Sequence, residues 1–237
     1  SQEPFFFAST LIEEKPFISN EEDNYLAKFS PDGKKVAYVA NRRFIKVRDI
    51  ASGKEVDLLT DQDLFHMRDG DKYFSWSPDS KWLLVDWSKT LSNSEVLLMA
   101  ADGSKRINLT ESGYYDSRPK WVNDGKQMIW FSNRNGLKSY ATSGQSQRDV
   151  YSMFFTQEVW DEFNMSKEDF ELMESIEEEL EKDKEEEKSK RKSKKKKSKK
   201  SEEEILKFDW KELKDRKARL TIHSSSLGDA VLNKDGD

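Results

Sequence analysis

The chain has 237 residues with 41 Lys and Arg against 46 Asp and Glu, a formal net charge of −5, which denies the molecule as a whole the basic footprint of a nucleic-acid binder. Hydrophobic residues make up only 35% of it while aromatics reach 12%, so a packed core coexists with a segment that dilutes the average. Cysteine is absent, which excludes a disulfide framework, a thiolate metal site and a cysteine nucleophile, and the longest apolar runs, such as Val96 to Ala101, fall far short of the roughly 20 residues of a membrane helix.

Along the chain, Phe29-Ser30-Pro31-Asp32-Gly33-Lys34 opens a motif that returns as Trp76-Ser77-Pro78-Asp79-Ser80-Lys81 and Trp121-Val122-Asn123-Asp124-Gly125-Lys126, with a further start at Leu232-Asn233-Lys234-Asp235-Gly236. The first two intervals between its aspartates are 47 and 45 residues, the period of a four-stranded propeller blade. Each motif is a turn between antiparallel strands. Proline presets φ for a type I turn, Asp bonds back to nearby amides, and Gly takes the left-handed conformation that follows. The aromatic ahead of the turn is expected to pack between sheets.

After the first turn, strands are predicted at 36–40, 44–48 and 56–60, then a loop over 61–71. After the second they follow at 82–87, 96–100 and 106–110, and after the third at 128–132, with a Ser- and Gly-rich loop over 137–148, then 149–155 and 218–222. Four short strands per period, without helical spacing inside it, predict an all-β fold. The architecture is a partial β-propeller of about three four-stranded blades, over residues 20–60, 71–110 and 114–222, with the start of a fourth at 224–237.

The last interval between motif aspartates is 111 residues, 66 more than the one before it, and a helical and charged insertion in the third blade, residues 156–215, accounts for the excess. A hairpin tolerates this because loop-closure cost grows only logarithmically with length. Within it, Ser166 with Asp169 is a capping-box-like start, and Phe170, Met173, Ile176 and Leu180 recur at helical spacing, predicting a helix at about 167–181. Residues 174–204 carry 12 acidic and 12 basic side chains, and no hydrophobic residue lies between Lys182 and Glu204. With nothing to bury, 182–204 is expected to be disordered. The basic run from Lys188 to Lys200 is read as solvated charge, not as a nucleic-acid or lipid tether.

No residue is assigned a catalytic, cofactor-binding or metal role, and no cofactor is expected. The only histidines are His66, in a polar loop, and His223, just after a strand; neither stands in the context that a Ser-His-Asp triad or a metal site demands. The Ser-Pro-Asp-Gly turns lack the alternating carboxylates of a calcium loop. Trp76, Trp82, Trp87, Trp121 and Trp130 are expected to fill the space between blades. Arg42, Arg43, Arg118 and Arg134 are expected on a solvated rim, although they could orient a peptide carboxylate. Asn108-Leu109-Thr110 and Asn164-Met165-Ser166 match glycosylation acceptors, a pattern that arises often by chance.

The Ser-Pro-Asp-Gly-Lys repeats resemble TolB-like propeller blades, and the third repeat is more specific. Arg118-Pro119-Lys120-Trp121, Asn133-Arg134-Asn135-Gly136, residues 149–155, Phe163-Asn164-Met165-Ser166-Lys167-Glu168-Asp169-Phe170-Glu171-Leu172, Asp215-Arg216-Lys217-Ala218-Arg219-Leu220-Thr221 and Ser224-Ser225-Ser226-Leu227-Gly228-Asp229-Ala230 resemble the propeller region of tricorn-like serine proteases in their bacterial branch, over nearly the whole chain. The resemblance implies a large, periplasmic or otherwise extracytoplasmic peptidase, with two propellers, a PDZ-like region and a serine-type hydrolase domain. This chain would stop before the catalytic part, and it opens with no signal segment of its own. It implies a non-catalytic fragment that frames or gates peptide passage and scaffolds the protease. Its partners would be peptide or unfolded polypeptide bound for the catalytic domain, the remaining blades, and other copies meeting through the exposed faces of an open arc; no nucleic acid and no membrane span are expected. A stand-alone TolB-like propeller module for protein-protein binding is the alternative.

Overall fold

A computed structural model of the chain describes residues 16–63, 73–90, 93–139, 146–173, 175, 176, 180 and 205–232. His66, the run 182–204 and the motif residues after Leu232 lie outside them. Three four-stranded antiparallel sheets follow one another along the sequence. The first holds β1 (Asn24–Phe29), β2 (Lys35–Ala40), β3 (Phe44–Asp49) and β4 (Glu55–Leu59). The second holds β5 (Phe74–Trp76), β6 (Trp82–Thr90), β7 (Asn93–Ala100) and β8 (Arg106–Asn108). The third holds β9 (Asp116–Val122), β10 (Gln127–Ser132), β11 (Asp149–Phe154) and β12 (Lys217–Arg219). In each the strand order follows the chain, so each sheet is one blade of a propeller arc.

The turns form as their chemistry requires. Ser30 Oγ donates to Asp32 Oδ1 at 2.6 Å while accepting from Lys35 N at 2.9 Å, and Ser77 repeats this with Asp79 and Trp82 at 2.6 and 2.9 Å. Gly33 and Gly125 take φ of 68° and 86°, and Ser80 holds the same left-handed place at 61°. In the third turn Asn123 and Asp124 both have positive φ, 49° and 50°, which kinks the short segment 123–125.

Packing between the sheets explains the near-continuous apolar runs of the middle strands, which are buried on both faces. Ala37, Val39, Leu83, Val85, Leu97 and Met99 meet between the first and second blades, with Trp76 and Trp87 against them. Leu84, Leu98, Met128, Trp130 and Met153 meet between the second and third, with Trp82 and Trp121. All five tryptophans therefore lie between blades. The outer faces are not bare. Val36, Tyr38 and Ala40 are buried beneath Ile18 and Phe44, and Ile129, Phe131 and Val150 lie beneath Leu220, Leu227, Ala230 and Leu232.

The insertion in the third blade is more than an excursion. A helix α1 (Gln157–Phe163), capped by Thr156, covers the end of β11, with the Trp160 and Phe163 rings 5.2 and 4.6 Å from Phe154. Residues 167–173 form a second helix, where Ser166 Oγ accepts from Asp169 N at 3.1 Å and donates to its carboxylate at 2.9 Å. Residues 205–216 then return to the core. Phe208 packs on Trp82 and Phe155 at 5.1 and 5.0 Å, and Leu213 is buried between the second and third blades. Arg216 is 3% exposed, and its guanidinium donates to the carbonyls of Phe154, Phe155, Asp209 and Lys211.

Candidate functional site

The first strand of each blade is bonded to its counterpart in the next, and in a propeller the strands so placed make the inner edge of the arc. Counting back from each motif aspartate places equivalent residues. Three before it stand Phe29, Trp76, Trp121 and Leu232; four before, Lys28, Ser75 and Lys120; five before, Ala27, Phe74, Pro119 and Ala230; six before, Leu26, Tyr73, Arg118 and Asp229.

One hydrogen-bond device recurs at every joint. The side chain four before the aspartate donates to the carbonyl five before the next aspartate: Lys28 Nζ to Phe74 O at 2.7 Å, Ser75 Oγ to Pro119 O at 3.3 Å, Lys120 Nζ to Ala230 O at 3.0 Å. In return the tryptophan of each following blade donates its indole N–H backward, Trp76 to Lys28 O at 2.9 Å and Trp121 to Ser75 O at 3.2 Å. Residues 228–230 thus occupy, against the third blade, the place that β5 and β9 occupy against the blades before them.

At the sixth place the backbone is turned. Leu26 and Arg118 both have φ of 53°, and each lies at a register shift, in β1 against β2 and in β9 against β10. Such a bulge re-aims a side chain and strengthens the local twist. Asp86 holds the strained Arg118 by accepting its backbone N–H at 2.8 Å, while the Arg118 guanidinium donates to Gly228 O at 2.8 Å. Asp229 pairs with Lys120. Burial raises the Tyr73 hydroxyl above its ordinary pKa, and the carboxylates of Asp86 and Asp229 add to this against the opposing charge of Arg118. Burial also lowers Lys28, whose ammonium lies 5.0 and 4.9 Å from the ring centres of Tyr73 and Phe74. The Lys120 bond, with the Ala230 N–H, holds the Asp229 carboxyl below the usual range. The inner edge therefore carries one bulge-directed or motif-placed side chain per blade, apolar at Leu26 and polar at Tyr73 and Arg118.

The residues weighed from sequence take separate places. His223 is exposed and makes no hydrogen bond or ion pair among the described residues. Arg42 is 3.9 Å from the Asp23 carboxylate, Arg43 is exposed at the β2–β3 turn, and Arg134 lies against tyrosine rings. Only Arg118 belongs to the inner edge. Asn108 Oδ1 accepts from the backbone of Thr110 and Glu111, and Asn164 Nδ2 donates to Trp160 O, so both amides are engaged locally. Among the described residues no group of three or more His, Asp or Glu could hold a metal ion, and no helix is long and apolar enough to cross a membrane. Lys28 and Tyr73 carry no motif of their own in the sequence, and Asp229 stands there only within the segment 224–230 of the family resemblance. Their signal was the fixed count back from the motif aspartate.

No family model matches the chain. Among solved structures, the tricorn protease is similar with a TM-score of 0.52 at 12% identity, covering 88% of this chain and 18% of its own. TolB from Acinetobacter baumannii has a TM-score of 0.43 at 24% identity over 60% of this chain and 32% of its own. A prolyl endopeptidase has 0.40 at 18% identity, over 55% and 20%. The chain thus spans a third or less of the length of each of these three proteins. The tricorn similarity shows a distantly shared propeller fold, and at that identity the fold is all it shows.

Proposed function

We propose that the chain is the non-catalytic propeller portion of a tricorn-like, extracytoplasmic serine peptidase, in which it frames or gates the passage of peptide and scaffolds the protease. The observation that carries this reading is the inner edge. A propeller's inner strands surround its channel, and here they bear strained, bulged positions at the same repeat place, Leu26 and Arg118, with Tyr73 between them in the series. Strain of that kind is retained where a side chain must point somewhere specific. The residues of the third repeat that resemble the tricorn-like family support it.

The alternative, a TolB-like module that binds other proteins, draws on the same edge, whose Leu26, Tyr73 and Arg118 would meet a protein partner directly. The two part on the parent protein's chemistry. The parent is expected to cleave fluorogenic peptides and take a serine-directed fluorophosphonate label, and this chain alone to do neither, since acyl transfer needs an activated nucleophile and an oxyanion hole. Arg118→Gly in the parent should change the cleavage of long peptides relative to short ones. A parent that neither cleaves nor labels favours the binding module. Labelling of the chain alone that disappears in His66→Ala or His223→Ala sinks the non-catalytic assignment.

A further inference from the structure

We infer that the third blade carries, at the end where β10 passes to β11, a surface that takes acidic polypeptide segments through their side-chain carboxylates; this deepens the proposed function, on which it rests, by naming a substrate class. The surface is built from Tyr114, Tyr115, Arg134, Lys138, Arg148 and Tyr151. The Arg134 guanidinium lies between two rings, 5.4 Å from the centre of Tyr114 and 5.4 Å from that of Tyr151. Lys138 Nζ is 4.3 Å from Tyr114 and the Arg148 guanidinium 5.8 Å from Tyr115, distances at which a ring's negative face attracts a cation.

The charge on this surface is not neutralised. Among the described residues Arg134, Lys138 and Arg148 have no carboxylate within ion-pair distance, whereas Lys46, Arg48, Arg106, Lys120 and Arg219 each have one. The nearby acids are committed elsewhere: Asp149 to Arg219, Thr221 and Ser224, and Asp116 to Ser112 and Trp130. Arg134 Nε is buried without an acceptor, a donor the fold leaves unused.

The surface is also held in shape before any ligand arrives. The buried Glu95 carboxylate accepts from Ser112 N and Gly113 N, Tyr114 N donates to Ser112 Oγ at 3.1 Å, and Tyr115 N to Asn133 Oδ1 at 3.0 Å. On the other side Gln147 N donates to Leu137 O at 2.9 Å, and a Cβ on Gly136 would stand 2.4 Å from Gln147 O, so only glycine lets the two arms of this loop close. Preorganised cations lose little freedom on binding. The occupant follows from which parts are open. Tyr114 and Tyr115 already have cations over their faces, so they offer poor platforms for stacked bases, while the cations keep N–H groups with no carboxylate among the described residues, donors that suit an incoming carboxylate.

The test is fluorescence anisotropy on the full chain with an N-acetylated, C-terminally amidated Glu- and Asp-rich peptide, against analogues with Gln and Asn or with Lys in those places. The acidic peptide should bind, the neutral and basic ones should not, and binding should weaken as salt is raised. Lys138→Gln with Arg148→Gln, whose side chains donate to no other element among the described residues, Lys138 Nζ reaching only Arg134 O of its own loop at 3.4 Å, should weaken it about 2- to 30-fold, the range for two exposed ion pairs. Replacing 182–204 by a Gly/Ser linker should leave it unchanged. Binding that vanishes with the linker, that needs a free C-terminal carboxylate, or that ignores the double substitution overturns the inference, as does tighter, substitution-sensitive binding of single-stranded DNA. Peptidase activity in the parent without acidic-peptide binding here would sink this inference alone; binding here in an inactive parent would sink only the proposed function.

Discussion

Asp149 shows how a buried carboxylate can serve this fold. It is fully buried at the start of β11 and accepts from Arg219 at 2.7 Å, Thr221 at 2.9 Å and Ser224 at 2.8 Å, tying the returning strand to the strand it must pair with. Burial pushes its carboxyl up, and the Ser224, Thr221 and Arg219 donors more than offset this, leaving the pKa below its ordinary value. A depressed carboxyl stabilises the fold above the unfolded value of about 3.9, and that contribution is lost as pH falls through the lower folded value. Asp149→Asn should therefore cost about 2–3 kcal/mol at pH 7 by urea denaturation, and the deficit should shrink below about pH 3.5. An equal deficit at pH 7 and pH 2.5 would mean that charge plays no part. Ser80 offers a finer test. It holds φ of 61° where its counterparts are glycine, and its hydroxyl accepts from Asp32 N at 3.0 Å in the neighbouring blade. Ser80→Ala keeps the strain and loses the bond, whereas Ser80→Gly loses both, so the alanine variant should be the less stable by about 0.5–1 kcal/mol.

Among the elements, the insertion divides into parts with opposite expected sensitivity. Residues 205–216 supply Phe208 and Leu213 to the joint between the second and third blades, and Leu206 packs so near Gly125 that a Cβ there would stand 2.8 Å from its methyl carbon. Phe208 is half-buried, so Phe208→Ala should cost about 1.5–3 kcal/mol, less than the usual penalty for emptying a fully buried aromatic site. Replacing Lys182 to Glu204 by a Gly/Ser linker should shift Tm by less than about 2 °C, because the run has no apolar side chain to withdraw from the core. Calorimetry checks both, and a large drop with the linker would show the run to be structural. The middle strands were legible because burial on both faces leaves an unbroken apolar run, as in Gln127–Ser132, buried throughout. The first strand of each blade was not. β1 and β9 are bulged and polar at the exposed edge, and β9 contains Pro119, which only an edge position tolerates. Helix α1 carries no periodic signal in the sequence because its seven residues bury only Val159.

At the scale of the whole molecule, the repeat period made the blades and their number readable, while the inner edge depended on register and on left-handed bulges that no residue type announces. Leu26 and Arg118 carry no glycine at φ of 53°, so the strain that marks the site could not be read from composition. The arc also treats its two ends differently. At the trailing end Leu220, Leu227, Ala230 and Leu232 cover the third blade. At the leading end Phe29, in the place from which Trp76 and Trp121 reach back across a joint, is 65% exposed, and Leu26 beside it is 39% exposed. Phe29 has no N–H to donate, so contact there is purely apolar and rewards any flat partner. Chains at high concentration should therefore associate through this edge, giving a sedimentation coefficient that rises with concentration. Phe29→Glu should move the population toward monomer without lowering Tm, because the ring contributes little to any internal joint, whereas Trp76→Glu should unfold the chain by placing a charge between two blades. A species that stays monomeric at every concentration, or association that Phe29→Glu leaves untouched, would show that the leading edge is closed by other means.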